Sequence, residues 1–446
     1  MSNVKASYPY RERLSEKLTE SLAAPTVSAT PRRIHGPISL PGKATAVVGM
    51  RRAGKTTFMH LIRRARLEQG IPRERLVYVN FEDERLAGLP LEQMHYLTEE
   101  YYRRFPDVRQ RETVTWFFDE IQTVSGWERF VRRLLDSEQV EVFVSGSSAA
   151  LLSREVSTAM RGRSWEVVIH PFSFEEYLRH RGSSIPEKPE FLPPPERSAM
   201  ERAFLDYLTA GGFPEATNLE PAARHLLLKD YVDVAILRDV VERHRIGNMT
   251  ALRWLVRQLL GNAGGLFSVE KFYASVKSQG MSVSRDALHE FVSYLQDCFL
   301  VRTLWVEAAS ERQRMVNPRK AYPVDPALIP VFDRTGRANL GHALETTVLL
   351  ELERRRMEVT YVRTHQGREV DFLAREPGGS RMLIQVCADL SDPATARREF
   401  LALKEAGEKY PQAQRLVLTL TTEDASTLRP EGIEIRPAYA WMLDRT

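Results

Sequence analysis

The segment GMRRAGKT, Gly49 to Thr56, limits this chain's fold more than any other stretch because of what flanks it. The apolar run ATAVV precedes it, and KTTFMHLIRRARLEQ follows with apolar residues at helical spacing. A strand that turns through G-x-x-x-x-G-K-T into a helix points backbone amides at a phosphate. Lys55 meets the phosphate charge, the Thr56 hydroxyl is placed for a magnesium ion, and Gly49, Arg52, Gly54 and Thr57 complete the expected cradle.

The neighbouring sequence supplies the sheet that such a loop requires. LVYVNF, TVTWFFDE, VEVFVSG and SWEVVIH are short apolar runs separated by amphipathic stretches, the alternation of a parallel sheet covered on both faces. TVTWFFDE ends in two acids at the edge where such a sheet binds ligands. Asp119 is placed to join Thr56 around the metal, and Glu120 to orient or deprotonate an attacking water. The next strand ends in VSGSS, so Ser147 or Ser148 can touch the terminal phosphate or the water, or simply make a turn.

A chain of 446 residues must hold several cores. We divide it into an N-terminal arm (1–35), a phosphate-binding core (36–182), a helical lid (183–245), a winged-helix-like segment (246–325) and a C-terminal α/β unit (326–446). SLAAPTVSATP, from Ser21, reads as a weakly packing linker, and GGFPEA as a forced turn. The net charge of +4 does not by itself argue for a nucleic-acid partner. Cys298 and Cys387 lack the spacing of a disulfide framework or a cysteine zinc site. With no long apolar run and no secretory leader, the expected location is the cytoplasm, away from membranes.

Taken in order, GMRRAGKTTFMHLI, YVNFEDERL, WFFDEIQTVSGWE, FVSGSSAALLS, MRGRSWEVVIHPFSFEEYL and GGFPEA resemble a group of prokaryotic AAA-superfamily ATPases. Members carry a C-terminal domain similar to PD-(D/E)XK nucleases, and the resemblance runs from about Ala44 to the C-terminus. It implies ATP and Mg2+ as ligands. It also implies a homo-oligomer, with a hexameric ring among the arrangements allowed, and makes Arg163, ahead of Arg161, the candidate arginine finger.

TALRWLVRQLLGN, SVEKFYASVKSQG and SVSRDALHEFVSYLQDC read as three helices, the second capped by Ser268 and the third by Ser282 or Ser284, and two strands follow. The third helix carries Asp286, Glu290 and Asp297, which suits base reading poorly. Arg312, Arg314, Arg319 and Lys320 cluster at the supposed wing and are candidates for contacts to the DNA backbone, without sequence specificity.

In the nuclease family that the last unit resembles, a helical glutamate, a strand aspartate and an E-x-K strand end hold magnesium. Glu345 and Asp371 match the first two places, but Gln385 and Cys387 stand where the last two belong. Glutamine brings no charge and a neutral thiol cannot replace the lysine, so the expectation is an inactive site. A lysine relocated from a nearby helix, Lys404, is the alternative. The resulting expectation is a Mg-dependent ATPase that remodels or translocates on DNA, with branched or junction DNA as candidate targets. An ATP-gated switch without motor activity is the alternative.

Overall fold

The computed structural model describes residues 9–146, 160, 162–333, 339–422 and 430–444. It divides into two compact units, Met1–Ile169 and His170–Thr446.

In the first unit, β1 (Ala44–Val48), β2 (Leu76–Asn80), β3 (Val114–Asp119), β4 (Val140–Ser145) and β5 (Ser164–Val168) form a parallel sheet in the order β2-β3-β4-β1-β5. The all-buried patterns of β1 and β3 are what a sheet covered on both faces demands. Helix α1 (Pro9–Ala23) buries Leu14, Lys17, Leu18 and Ser21, a stripe at helical spacing. It packs on β2 and on α3 (His95–Arg104), while α2 (Lys55–Glu68) carries the phosphate loop.

The linker reading of the stretch from Ser21 needs correction at its start. Ser21 is buried, and its Oγ accepts the Tyr78 N–H at 2.7 Å, so α1 covers an amide of the edge strand β2. Lys17 adds ion pairs to Glu20 at 2.7 Å and Asp83 at 2.5 Å.

In the second unit, α5 (Phe174–His180) opens with a capping box between Ser173 and Glu176. The GGFPEA turn has a tertiary cause. The Gly212 N–H donates to Asp325 Oδ2 at 2.7 Å, and its carbonyl accepts the Phe172 N–H at 2.7 Å. A Cβ on Gly212 would stand 2.3 Å from the Phe172 oxygen, so only glycine fits between these two partners.

Next come α6 (Met249–Gly261), β6 (Leu266–Phe267), α7 (Val269–Ser278), α8 (Arg285–Asp297), β7 (Val301–Leu304), α9 (Glu311–Val316) and β8 (Arg319–Pro323). The strands form a sheet in the order β6-β8-β7. Ser284, whose oxygen accepts the Ala287 N–H at 3.1 Å, caps α8. The supposed wing is not an open basic loop, since half of it is helix α9.

The C-terminal part runs α10 (Leu340–Arg354), β9 (Glu358–Arg363), β10 (Glu369–Arg375), β11 (Arg381–Cys387), α11 (Pro393–Lys409), β12 (Gln414–Thr419) and β13 (Glu434–Pro437). Strands β9, β10 and β11 pair antiparallel, whereas β11, β12 and β13 pair parallel. A register shift between Val370 and Leu373 breaks the β9–β10 ladder at Asp371. Such irregularities re-aim side chains.

Candidate active site

The phosphate loop is shaped by its glycines and one strained arginine. Gly49 has φ 142°, and a Cβ there would lie 2.2 Å from the Ile169 oxygen. Arg52 at φ 67° and Gly54 at φ 98° turn the chain into α2. Lys55 is buried, its ammonium donating to the carbonyls of Gly49 at 3.0 Å and Met50 at 3.1 Å. Thr56, on the first turn of α2, donates from Oγ1 to Asp119 Oδ2 at 2.8 Å. The loop glycine thus allows close backbone approach, and an ammonium, a hydroxyl and a carboxylate stand together. That donor set fits a nucleotide phosphate and its magnesium. Thr57 follows half-buried on the same turn.

Asp119 is held from three sides, because the Tyr78 hydroxyl donates to Oδ2 at 2.7 Å and the Ser145 hydroxyl donates to Oδ1. Neither partner was foreseen from sequence. Tyr78 and Ser145 lie on β2 and β4, which flank β3, so only strand order brings them to Asp119. Burial, together with the Asp119 charge, raises the Tyr78 hydroxyl well above its usual range, which keeps it a donor.

Glu120 sits one residue past β3 at φ 52°, ψ 39°, a left-handed conformation. Its N–H donates to Ser145 Oγ at 3.3 Å, and its Oε2 accepts Gln122 Nε2 at 2.5 Å. Desolvation raises its carboxyl pKa, which makes it a stronger base. Ser147 and Arg161 lie outside the described residues.

Arg163 stands just before β5, exposed and paired with Asp136 on α4 (Trp127–Ser137). Ala44 at the start of β1 pairs in register with Ser164, while the phosphate loop leaves β1 at its other end. At the rise of a strand, Arg163 is roughly 15–20 Å from its own loop.

A second polar cluster lies in the other unit, and its centre is Lys320. This residue is 2% exposed. Its Nζ is 2.9 Å from Glu345 Oε1, 2.8 Å from Glu369 Oε1 and 2.9 Å from Asp371 Oδ1. Desolvation alone would lower the Lys320 pKa, but the carboxylates override it and raise it far above the usual range. Burial and the neighbouring Asp371 push Glu345 up to about 7.

Two expectations change with this cluster. Lys320 is not at the surface, so it cannot meet a DNA backbone. The lysine that reaches the carboxylates comes from β8, whereas Lys404 on α11 is exposed. Gln385 is buried, its Oε1 accepting the Asp371 N–H at 3.4 Å. Cys387 lies buried beside it, and desolvation lifts its thiol to about 11, which keeps it neutral. Of the other wing cations, Arg319 lies 3.6 Å from the Trp305 ring, Arg314 is half-buried near Glu311 at 3.4 Å, and Arg312 is exposed.

Residues 41–178 match the family model described as an AAA domain. Residues 201–337 and 340–440 match two models described as domains of unknown function. An uncharacterized protein of Methanocaldococcus jannaschii is 30% identical over 415 residues, spanning 91% of this chain and 89% of that protein. The chain belongs to that protein's family. Another uncharacterized relative, from Haemophilus influenzae, is 24% identical over 89% of this chain and 93% of its own length.

The AAA domain of this family member is a P-loop ATPase domain with a five-stranded parallel sheet among its described residues. Among solved structures, a Walker-type ATPase of Pyrococcus abyssi aligns with a TM-score of 0.38 at 15% identity, covering 72% of this chain and 95% of that one. The Aeropyrum pernix ORC1 protein in complex with DNA aligns with a TM-score of 0.30 at 18% identity, covering 73% and 92%. Among the described residues, no helix is long and apolar enough to cross a membrane.

Proposed function

We propose that this protein is a Mg-dependent ATP hydrolase that works as an oligomer on DNA, with its C-terminal α/β part serving binding rather than cleavage. The observation that carries the hydrolase reading is the 2.8 Å contact between Thr56 and Asp119, with the strained, desolvated Glu120 next in the chain. Lys55 neutralises the β and γ phosphates from within the loop. Magnesium, held by Thr56 and by Asp119, supplies charge neutralisation of the phosphates when bound. Tyr78 and Ser145 fix the Asp119 carboxylate. Glu120 takes a proton from the attacking water, and Gln122 restrains the carboxylate that does so. Arg163 serves a neighbouring subunit, since a strand's length separates it from its own loop.

The DNA part of the proposal rests on reading α6, α7 and α8 with the β6-β8-β7 sheet as a winged-helix-like arrangement, and on the outward-facing Arg312. The α10, β9-β10-β11, α11, β12 order supports reading this part as PD-(D/E)XK-like, and its carboxylates hold a lysine, which supports binding rather than cleavage. A second reading, an ATP-gated switch without motor activity, is favoured by one observation. Lys320 is turned inward and Arg319 lies against Trp305, which leaves the wing with less free positive charge than its sequence suggests.

The test is ATP turnover of the full chain with and without magnesium, alone and with single-stranded, duplex, forked and four-way-junction DNA. The hydrolase reading expects magnesium-dependent turnover that Lys55→Ala abolishes, and it fails if turnover survives that change. The motor reading expects DNA to bind and to accelerate turnover. Turnover indifferent to every DNA leaves the switch.

A further inference from the structure

The N-terminal arm reaches the phosphate loop. Past α1 the chain leaves the β2 edge of the sheet and crosses α2, where Arg64 Nη1 donates to Ser28 Oγ at 3.5 Å. It then meets the far side of the sheet, since Trp165 Nε1 on β5 donates to the Pro37 carbonyl at 2.8 Å and Thr45 Oγ1 on β1 to the Ile38 carbonyl at 3.3 Å. Between these anchors Ile34 packs on the core that holds Ala53, Phe58 and Ile169. Residues 28–38 therefore follow a pinned path past the loop.

Arg32 lies midway on that path and is half-buried. Its Nη1 donates to the Ala53 carbonyl at 2.9 Å. A Cβ on Gly54 would stand 3.3 Å from the same nitrogen, so the guanidinium lies against the Ala53–Gly54 peptide itself. Gly54 is the last glycine of the loop and caps α2 at φ 98°. Two cations thus bind loop carbonyls: Lys55, from within the motif, on Gly49 and Met50, and Arg32, from the arm, on Ala53.

The geometry of one peptide gives this contact a consequence. A trans peptide unit is planar, and its carbonyl and N–H point in opposite directions. With the Ala53 oxygen turned to Arg32, the Gly54 N–H is turned away from the arm. A cation on the oxygen polarises the peptide and makes its N–H a stronger donor, an effect that a low local dielectric enlarges. Loop amides are the groups that cradle a phosphate.

We propose that Arg32 is a positioning residue of the nucleotide site, holding the Ala53–Gly54 peptide so that the Gly54 N–H meets the nucleotide phosphates as a strengthened donor. The arm is thereby a working part of the site and not only a cover for the sheet edge. This rests on the ATPase reading and adds to it a residue from outside the loop motif. A phosphate held by Gly54 is held alike before and during hydrolysis, so the contribution is to binding, and its loss raises KM without lowering kcat.

The experiment measures Mg-ADP binding to the full chain by isothermal titration calorimetry, ATP turnover across a concentration series, and thermal unfolding without nucleotide. Wild type, Arg32→Ala, Arg32→Lys and Ser28→Ala are compared. Arg32→Ala should weaken Mg-ADP binding and raise KM by about tenfold, the size of one charge-assisted hydrogen bond, with kcat within about twofold of wild type. Arg32→Lys keeps the charge but not the planar fork and should recover part of the affinity. Ser28→Ala, which loosens the arm away from the loop, should leave binding unchanged.

Mg-ADP affinity in Arg32→Ala equal to that of wild type overturns the proposal. So does a kcat that falls together with Tm at unchanged KM, which is what a merely structural arginine would give. Binding as weak in Ser28→Ala as in Arg32→Ala also overturns it, because the arm as a whole would then be responsible. If Arg32→Ala does not fold, Arg32→Lys decides: weakened binding with kcat kept supports the proposal, whereas unchanged binding or a second failure to fold overturns it. A wild type that binds no Mg-ADP overturns the ATPase reading and this proposal with it, whereas binding that ignores Arg32 overturns this proposal alone.

Discussion

Glu120 is a non-glycine residue held at φ 52°, ψ 39°, and that geometry predicts an inverted response to glycine. A left-handed conformation costs an L-residue about 1–2 kcal/mol, through contact of Cβ with the backbone. Glycine avoids this, but it loses about 0.5–1 kcal/mol through the greater freedom of its unfolded chain. Comparing Glu120→Gly with Glu120→Ala cancels what both lose, namely the Gln122 hydrogen bond and the desolvated carboxylate. The glycine variant should be the more stable by about 0.5–1 kcal/mol, whereas at an ordinary position it would be the less stable by a similar amount. Urea unfolding of the full chain, followed by fluorescence, should place the two midpoints about 0.3 M apart. Under the proposed mechanism both variants also lose ATP turnover by about 10²–10⁴-fold. An alanine variant as stable as the glycine variant, or more so, would refute the strain argument. Retained turnover would refute the role of Glu120 as base. Both results as expected would mean that the site holds its base in a conformation the fold would otherwise avoid.

Further expectations concern other parts of the chain. The Arg163–Asp136 pair is exposed, so Arg163→Ala should shift stability by less than about 1 kcal/mol. It should nevertheless abolish turnover, and mixing it with Glu120→Gln subunits should restore a fraction of the activity if the arginine acts between subunits. Burial raises the Asp325 carboxyl from 3.8 to about 6, although it accepts the Gly212 and Ala327 N–H groups. With its folded value above its unfolded one, its contribution is complete below about pH 4 and is lost as pH rises through about 6, a change of about 3 kcal/mol. Urea titrations at pH 4 and 7 should therefore show wild type losing stability relative to Asp325→Asn, and parallel pH dependences would contradict this. Arg312→Glu with Arg314→Glu should weaken DNA binding and lower its salt slope by about 2. An unchanged slope would remove the wing from the DNA interface.

Much of the ATPase site was legible because its parts are consecutive. Strand, glycines, lysine, threonine and helix fall within Ala44 to Glu68, and the acid pair ends an apolar strand. Periodicity also marked the helices around Ser268 and Ser284, but only the cap hydrogen bond chose Ser284 over Ser282. The stretch from Ser21 looked like a linker because its composition is that of one. Its first residue is nonetheless buried against β2, through a contact 57 positions away.

What the sequence determined by itself is therefore the chemistry of short segments: a phosphate loop, an acidic strand end, and a carboxylate pattern lacking its usual partners. Tertiary structure alone decided which side chains complete them. Tyr78 and Ser145 meet Asp119 because β2 and β4 flank β3, an order set by sheet packing rather than by any local pattern. Lys320 sits in a basic stretch and reads as a solvated charge. Its three partners lie 25 to 51 positions further along the chain, on a helix and on another strand. Coulomb attraction acts through space, so a cation and its carboxylates carry no common period or spacing by which sequence could pair them.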